Sequence, residues 1–324
     1  MRRVDLIGCG AVNLDLIYRL PTGFPLLAEL PPRGAEEALD AEGRARLDEA
    51  LDGQEPFRSG GGQAANVVFA LGRLGYAATM LGRVGVDADG DRLCEELGPE
   101  ATGLLTRDGQ TGRVYVLLDD GGERRNLVWP ATNDEFAAGD LPRRLPTARY
   151  VYFSSFVGER PLEGQTALLQ RLDDMTEVAF DPGELYASRG VKRFMPLLQR
   201  TSYLFSTEHE LELLCGVQLD RAIEFLLNLG VRTVVCKMGE RGARLISLRG
   251  ETYVPPSPAT VTDVTGAGDL FAAGFLGGLI EDLPLESAGR LAAWVAARGI
   301  GGLGRSAYPD GPAWREQVEL ERSL

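Results

Sequence analysis

The run Val261-Thr262-Asp263-Val264-Thr265-Gly266-Ala267-Gly268-Asp269-Leu270-Phe271 decides how this 324-residue chain is read. It sets a small-residue turn directly before an apolar helical pattern, in which Phe271, Phe275, Leu276, Leu279 and Ile280 supply a buried face. The first amides of a helix have no intrahelical partner, and the macrodipole favours negative charge there. Gly266, Ala267 and Gly268 leave that backbone bare, so a phosphate can sit on it. Asp269 follows in the first turn. An anion seat beside a carboxylate is the chemistry of phosphoryl transfer to a hydroxyl: the amides steady the phosphate and the Asp receives the proton. The tripeptide alone equally fits an ordinary acidic helix start after a glycine turn, so the rest of the chain arbitrates.

Composition narrows the field. Hydrophobic residues make up 44% and charged residues 25%, ordinary values for a globular protein of one large α/β domain or two smaller ones. A net charge of −13 argues against a nucleic-acid partner. Cys9, Cys94, Cys215 and Cys236 lie scattered with no CxxC spacing, which reads as reduced core thiols in a cytoplasmic protein. Arg2, Arg3 and Asp5 interrupt the start against a signal peptide, and no apolar run reaches membrane-spanning length. His209 is the only histidine, which removes a multi-His zinc site and leaves no His-based triad that the sequence supports.

The organisation is that of alternating elements. Arg3 to Gly8 reads as a buried strand, Ala64 to Leu74 as a helix stopped by Gly75, Ala77 to Val84 as a strand and Asp87 to Leu97 as a helix. Tyr18 to Phe57 reads as a peripheral insertion, opening on Pro21, Pro25, Pro31 and Pro32 and continuing as a charged helix through Glu42 to Glu49. Thr111 to Asp119 and Arg124 to Trp129 read as a hairpin joined by Asp120-Gly121-Gly122-Glu123, suited to a flap over a cleft. From Arg149 onward, strands at Tyr150–Phe153, Val178–Asp181, Tyr203–Phe205 and Val231–Cys236 alternate with helices near 162–172, 191–198, 208–214 and 222–229. That rhythm predicts a mainly parallel sheet covered by helices, with ligands beyond its carboxyl ends.

Gly8-Cys9-Gly10 invites a dinucleotide reading, but Asn13 stands where the third glycine belongs and a strand pattern follows instead of a helix. A Walker-type GxxxxGK[ST] run is absent. Asn13 and Asp15 alternate, so they point to one side of a strand just past the first strand's end, with the donors and acceptors that sugar hydroxyls need. Gly60 to Gly62 permit close approach of a ligand to the backbone, and Asn66 lies early in the helix that follows.

In order along the chain, Asn13 and Asp15, GGGQAAN at 60–66, GRVG at 82–85, KMGERG at 237–242 and DVTGAGD at 263–269 resemble the ribokinase-like or PfkB carbohydrate kinase family. The resemblance covers nearly the whole chain. It implies a three-layer α/β/α fold with a mainly parallel central sheet and a small β-sheet lid. Residues 1–12, 58–110 and 131–324 would form the large domain, and 13–57 with 111–130 the lid and its inserted segment. It implies ATP-dependent phosphorylation of an alcohol, with Asp269 as base and Gly266, Ala267 and Gly268 as anion hole. Asn13, Asp15, Gly61, Gly62 and Asn66 resemble sugar contacts, together with Asp269. Lys237, Gly239 and Gly242 resemble the segment lining the nucleotide, with Gly266 and Gly268 at its phosphates. Glu210 would order a Mg2+ shell through water, and Asp263 resembles the loop that holds a monovalent cation such as K+ in many members. Thr207 replaces the Asn of the family's Asn-x-x-Glu, and Val68 stands where a small or hydroxyl residue is usual. The acceptor is read as a sugar. The rivals are a nucleoside kinase of the same fold, with Phe24, Phe57 and Trp129 as candidates to shelve a base, and a non-catalytic sensor. The exposed strand edges of the hairpin offer a homodimer surface.

Overall fold

The computed structural model describes residues 3–21, 23, 24, 26, 36–119 and 124–324. Pro25, Pro31, Pro32 and the hairpin turn at 120–123 lie outside the described residues. The strands in chain order are β1 (Arg3–Cys9), β2 (Asn13–Leu20), β3 (Glu36–Ala38), β4 (Phe57–Gly61), β5 (Ala78–Val84), β6 (Leu105–Arg107) and β7 (Gly112–Asp119). There follow β8 (Arg124–Trp129), β9 (Thr147–Ser154), β10 (Glu177–Asp181), β11 (Tyr203–Thr207), β12 (Thr233–Lys237), β13 (Ala243–Ser247) and β14 (Gly250–Val254).

A nine-stranded sheet runs β14-β13-β12-β11-β10-β9-β1-β5-β6. Every pairing from β12 to β6 is parallel, and β13 and β14 close one edge antiparallel. Strands buried on both faces alternate between two cores. Leu6, Met80, Tyr150, Tyr152, Phe205 and Val235 enter the core shared with the helices Gln63–Leu74, Ala267–Ile280 and Leu285–Gly299. Their neighbours Ile7, Leu81, Val151, Phe153, Leu204 and Val234 enter the opposite core, under the helices Arg160–Leu169, Glu208–Cys215 and Leu219–Leu229. The result is the three-layer α/β/α arrangement with a mainly parallel sheet. A second, five-stranded sheet in the order β3-β8-β7-β2-β4 stands beside the ends of the first.

Sequence boundaries shift where one residue overrides a run. Val231–Cys236 becomes Thr233–Lys237. The helix expected over 191–198 splits into a tight turn at Val191–Phe194 and a helix at Met195–Arg200, because Pro196 has no N–H to continue the earlier turn. β4 was not legible as a strand: Arg-Ser-Gly-Gly has low intrinsic β preference. Antiparallel pairing with β2 supplies what its own residues lack, so 58–61 join the small sheet. Within the stretch read as an insertion, Ala41–Ala50 is a helix whose Leu47 is buried and whose Arg44 stacks 4.3 Å above Trp129, while Tyr18–Leu20, Glu36–Ala38 and Phe57 belong to strands of the small sheet. Gly8 and Gly10 serve packing. A Cβ at Gly8 would lie 2.6 Å from Val68 Cγ2, and one at Gly10 2.1 Å from Ser154 Oγ. Val68 thus fills the core beside the first strand.

The helix Ala267–Ile280 is apolar all round and buried along most of its length, as a helix inside a core must be. Gly274 and Gly278 let it touch its neighbour Leu285–Gly299: a Cβ on either would come within 2.8 Å of Ala292 Cα or Ala288 Cα. Gly278→Val is therefore expected to destabilise the protein by about 1–3 kcal/mol through overpacking, read as a lower urea midpoint at unchanged slope.

Candidate active site

Four parallel strands of the large sheet end on polar residues at one rim: Ser154 on β9, Asp181 on β10, Thr207 on β11 and Lys237 on β12. A cleft of about 420 Å³ opens there. Its opposite wall is the small sheet, through Val114, Val116, Arg124, Asn126 and Val128, and the helix start Gly266–Asp269 closes it.

Two glycine-led helices meet in this cleft. Gly62 (φ +95°) leads into Gln63–Leu74, and a Cβ there would lie 2.2 Å from the Ala11 carbonyl oxygen. Gly266 (φ +74°) leads into Ala267–Ile280. Positive φ is what glycine adopts without strain. Asn66 Nδ2 donates to Asp269 Oδ2 at 2.7 Å, tying the two helices together. Asp269 is 7% exposed, and burial raises its pKa to about 7 against the lowering effect of Asn66. The backbone N–H of Gly266, Gly268 and Asp269 find no acceptor among the described residues, while Ala267 N–H donates to the Val264 carbonyl at 3.1 Å. Three amides are thus open at this helix start, but the Ala267 amide is committed to its own turn.

Asn13 and Asp15 line the same cleft from β2. Asn133 Nδ2 donates to Asn13 Oδ1 (2.8 Å), while Asn133 Oδ1 accepts from Val12 N–H (2.9 Å), so Asn13 is held in orientation. Asp15 Oδ1 is buried with no hydrogen-bond partner among the described residues. Burial raises the Asp15 pKa to about 7, although Arg305 and Arg124 pull it down. Gly61 makes room for this carboxylate: a Cβ there would lie 2.0 Å from Asp15 Oδ1.

On the other side stand Thr207, Glu210, Lys237 and Gly239. Thr207 caps its helix by accepting from Glu210 N–H at 3.2 Å, and Glu210 Oε2 accepts from Thr207 N–H at 2.7 Å. Lys237 Nζ donates to Asp181 Oδ2 at 2.7 Å. Burial alone would lower the lysine's pKa, but Asp181 and Glu210 more than offset it and keep it above the ordinary range. Three expected residues lie elsewhere. Gly61 is outside the cleft lining, set against the Asp15 carboxylate. Gly242 is outside the cleft and serves a turn, where a Cβ would meet the Val254 carbonyl oxygen at 2.1 Å. Asp263 also lies outside the cleft lining, accepting from Thr265 N–H (2.9 Å), Thr265 Oγ1 (2.6 Å) and Gly304 N–H (3.3 Å). Phe24, Phe57 and Trp129 do not line the cleft either.

Sequence reasoning missed Asp181, Asn133, Arg124 and Arg305. Asp181 had a signal, since it ends a predicted strand. Arg124 sits on a predicted hairpin strand and donates from Nη1 to Thr265 Oγ1 at 2.8 Å. Asn133 comes from the short 3-10 helix Ala131–Glu135 and Arg305 from a loop, neither with a periodicity to mark it.

A parallel-sheet body with this cleft at its strand ends, faced by a small sheet, is the site of a kinase that phosphorylates hydroxyl groups of sugars or nucleosides. Residues 38–307 match the pfkB family carbohydrate kinase model, and the chain belongs to that family. It is 30% identical to an uncharacterized sugar kinase of Archaeoglobus fulgidus over 71% of this chain and 94% of the relative. It is 32% identical to an ATP-dependent ribose-1-phosphate kinase of Halopiger xanaduensis over 75% of this chain and 82% of the relative. An adenosine kinase structure from Sinorhizobium meliloti shares the fold, with a TM-score of 0.86 at 22% identity over 97% of this chain and 99% of that one. No helix among the described residues is long and apolar enough to cross a membrane.

Lys237→Met would leave Asp181 buried without its cation. The expected cost is about 3–5 kcal/mol, visible as a large drop in chemical-denaturation midpoint. An unchanged midpoint would mean that the pair is not buried in solution.

Proposed function

We propose that this chain is an ATP-dependent sugar kinase in which Asp269 is the base and the helix start at 266–268 holds the transferring phosphoryl group. The observation that carries this is the Asn66–Asp269 hydrogen bond beside open backbone amides, in the same cleft as Asn13 and Asp15. The acceptor hydroxyl, held by Asn13 and Asp15, attacks the γ-phosphorus of ATP. A new O–P bond forms, the bond to the bridging oxygen breaks, ADP leaves, and the acceptor's proton passes to Asp269. Full deprotonation before attack is unnecessary, because the transition state is loose and the proton leaves late. The amides of Gly266, Gly268 and Asp269 face the developing charge. Thr207, Lys237 and Gly239 line the nucleotide side. The small sheet acts as a lid that excludes water.

No cluster of three or more metal-binding side chains exists among the described residues. Magnesium would be carried on the nucleotide phosphates, where Glu210, on the cleft lining, would order its water and the ion would supply neutralisation of phosphate charge. Asp263 is committed to its loop, and no step is assigned to a monovalent cation.

Sugar is favoured over nucleoside because Phe24, Phe57 and Trp129 lie away from the cleft, and Phe156, the aromatic among its described lining residues, is buried and stacked on Phe136. One observation supports a second reading, a phosphorylated sugar. Arg124 brings a guanidinium into the cleft from the small sheet, and the Halopiger relative is named for ribose-1-phosphate.

Asp269→Asn is expected to lower kcat by about 10²–10⁴-fold while nucleotide binding, followed by calorimetry, persists. Near-normal turnover would remove Asp269 from the role of base. The base works deprotonated, so kcat/KM should fall about tenfold per pH unit below the Asp269 pKa of about 7 and level off above it. An ATP-consumption panel of ribose, ribose-1-phosphate and adenosine separates the acceptor classes; preference for adenosine would overturn the sugar reading.

A further inference from the structure

Arg305 belongs to the loop that follows the helix Leu285–Gly299, remote in sequence from every motif of the cleft. Its backbone N–H donates to Ser59 Oγ at 3.2 Å, which anchors the loop against β4. Its side chain is 6% exposed and contacted on three sides, while Nη2 is buried with no hydrogen-bond partner among the described residues. Nη1 donates to Glu96 Oε1 at 2.9 Å, Nε donates to Asn66 Oδ1 at 3.0 Å, and the guanidinium carbon lies 4.7 Å above the Phe69 ring. Gly60 leaves the passage open, since a Cβ there would lie 2.2 Å from Nη1.

The chemistry of the two groups dictates an orientation. A guanidinium has only donors, so the oxygen of the Asn66 amide must face it. The nitrogen must then face the other way, toward Asp269 Oδ2. A reversed amide would oppose donor to donor at Arg305 and oxygen to carboxylate at Asp269, a mismatch at both ends. Arg305 and Asp269 each select this orientation, so without Arg305 only the Asp269 end would hold the amide in it. We propose that Arg305 is a positioning residue for phosphoryl transfer: through Asn66 it presents a hydrogen-bond donor to Asp269 and keeps that carboxylate ready to receive the acceptor's proton. This rests on the reading of Asp269 as base.

The surroundings agree in direction. Asp15 from β2, Asp181 from β10 and Tyr152 from β9 face Asp269 with Lys237, Tyr308 and Arg305. Asp181 raises the Asp269 pKa, and Lys237 and Arg305 lower it. Lys237 already answers Asp181 in a direct ion pair. Arg305 has its own pairing to Glu96, at 24% side-chain exposure a more solvated anion than Asp181 at 0%.

A double-mutant cycle tests this. Asn66→Ala and Arg305→Met are each expected to lower kcat by about 10–100-fold, with KM for ATP changed less than about threefold. Because one residue acts through the other, the double variant should lose less than about threefold beyond the worse single variant. Arg305→Met should also move the acid limb of kcat/KM upward, and should move it less once Asn66 is alanine, the remainder being the direct effect of the Arg305 charge on Asp269. Fully additive losses in log kcat, with Asp269→Asn still inactive, would overturn the role of Arg305 while leaving the base in place. An active Asp269→Asn would instead overturn the reading beneath it. Circular dichroism checks folding; should Arg305→Met fail to fold, the cycle is run with Arg305→Lys under the same criterion of non-additivity.

Discussion

The architecture of the cleft depends on one hydrogen bond, from the Asn66 amide to the Asp269 carboxylate. Each residue stands near the start of a helix that a glycine with positive φ introduces. The two helices come from distant parts of the chain and pack on the same face of the large sheet. A carboxylate this buried is expensive to keep ionised, and hydrogen bonding to the charged form is what offsets the cost. The same contact therefore aligns two helices and partly opposes the rise in proton affinity that burial imposes on the group between them. Small residues are required here by close neighbours: a Cβ at Gly266 would lie 2.9 Å from the Tyr308 hydroxyl and one at Gly268 3.1 Å from Lys237 Nζ.

The remaining geometry follows from sheet topology. Parallel strands bring their carboxyl ends to one rim, and the chain places Ser154, Asp181, Thr207 and Lys237 there. The small sheet contributes Val114, Val116 and Val128 to the facing wall beside the polar heads of Asn13, Asp15, Glu36, Arg124 and Asn126. Charge thus stands on the small-sheet wall as well as at the rim, and burial strengthens each polar contact made between them. Asp15 and Asp269 share this environment, and burial moves both toward neutrality in the same pH range.

Much of this was legible in the sequence, for physical reasons that differ by element. The alternation of apolar runs and helical periods from Arg149 onward announced the parallel sheet, because strands buried on both faces leave no polar interruptions. The glycine runs at 60–62 and 266–268 announced close backbone approach, and Asn13 and Asp15 announced themselves by period-two spacing after a strand. β4 stayed hidden because its stability comes from pairing with β2 and not from its own residues. Arg305 stayed hidden because its importance lies in what it touches across the fold, Glu96 and Asn66, and its local sequence gives no sign of either. Gly242 read as a ligand-lining residue, yet glycine there answers to the Val254 carbonyl. A motif marks where glycine is required without saying whether a ligand or the protein's own backbone requires it.

One further consequence comes from the corner Gly10-Ala11-Val12, which is all that separates β1 in the large sheet from β2 in the small one. A rigid tilt of the small sheet about this corner is a lever with its fulcrum at the mouth of the cleft. The eight residues of β2 make an arm of roughly 25 Å at the usual strand rise. Asn13 lies beside the fulcrum and Leu20 at the tip, so a swing that carries the tip several ångströms displaces Asn13 by only a fraction of that. The floor on which a small acceptor rests would stay nearly fixed while the roof above it sweeps open and shut.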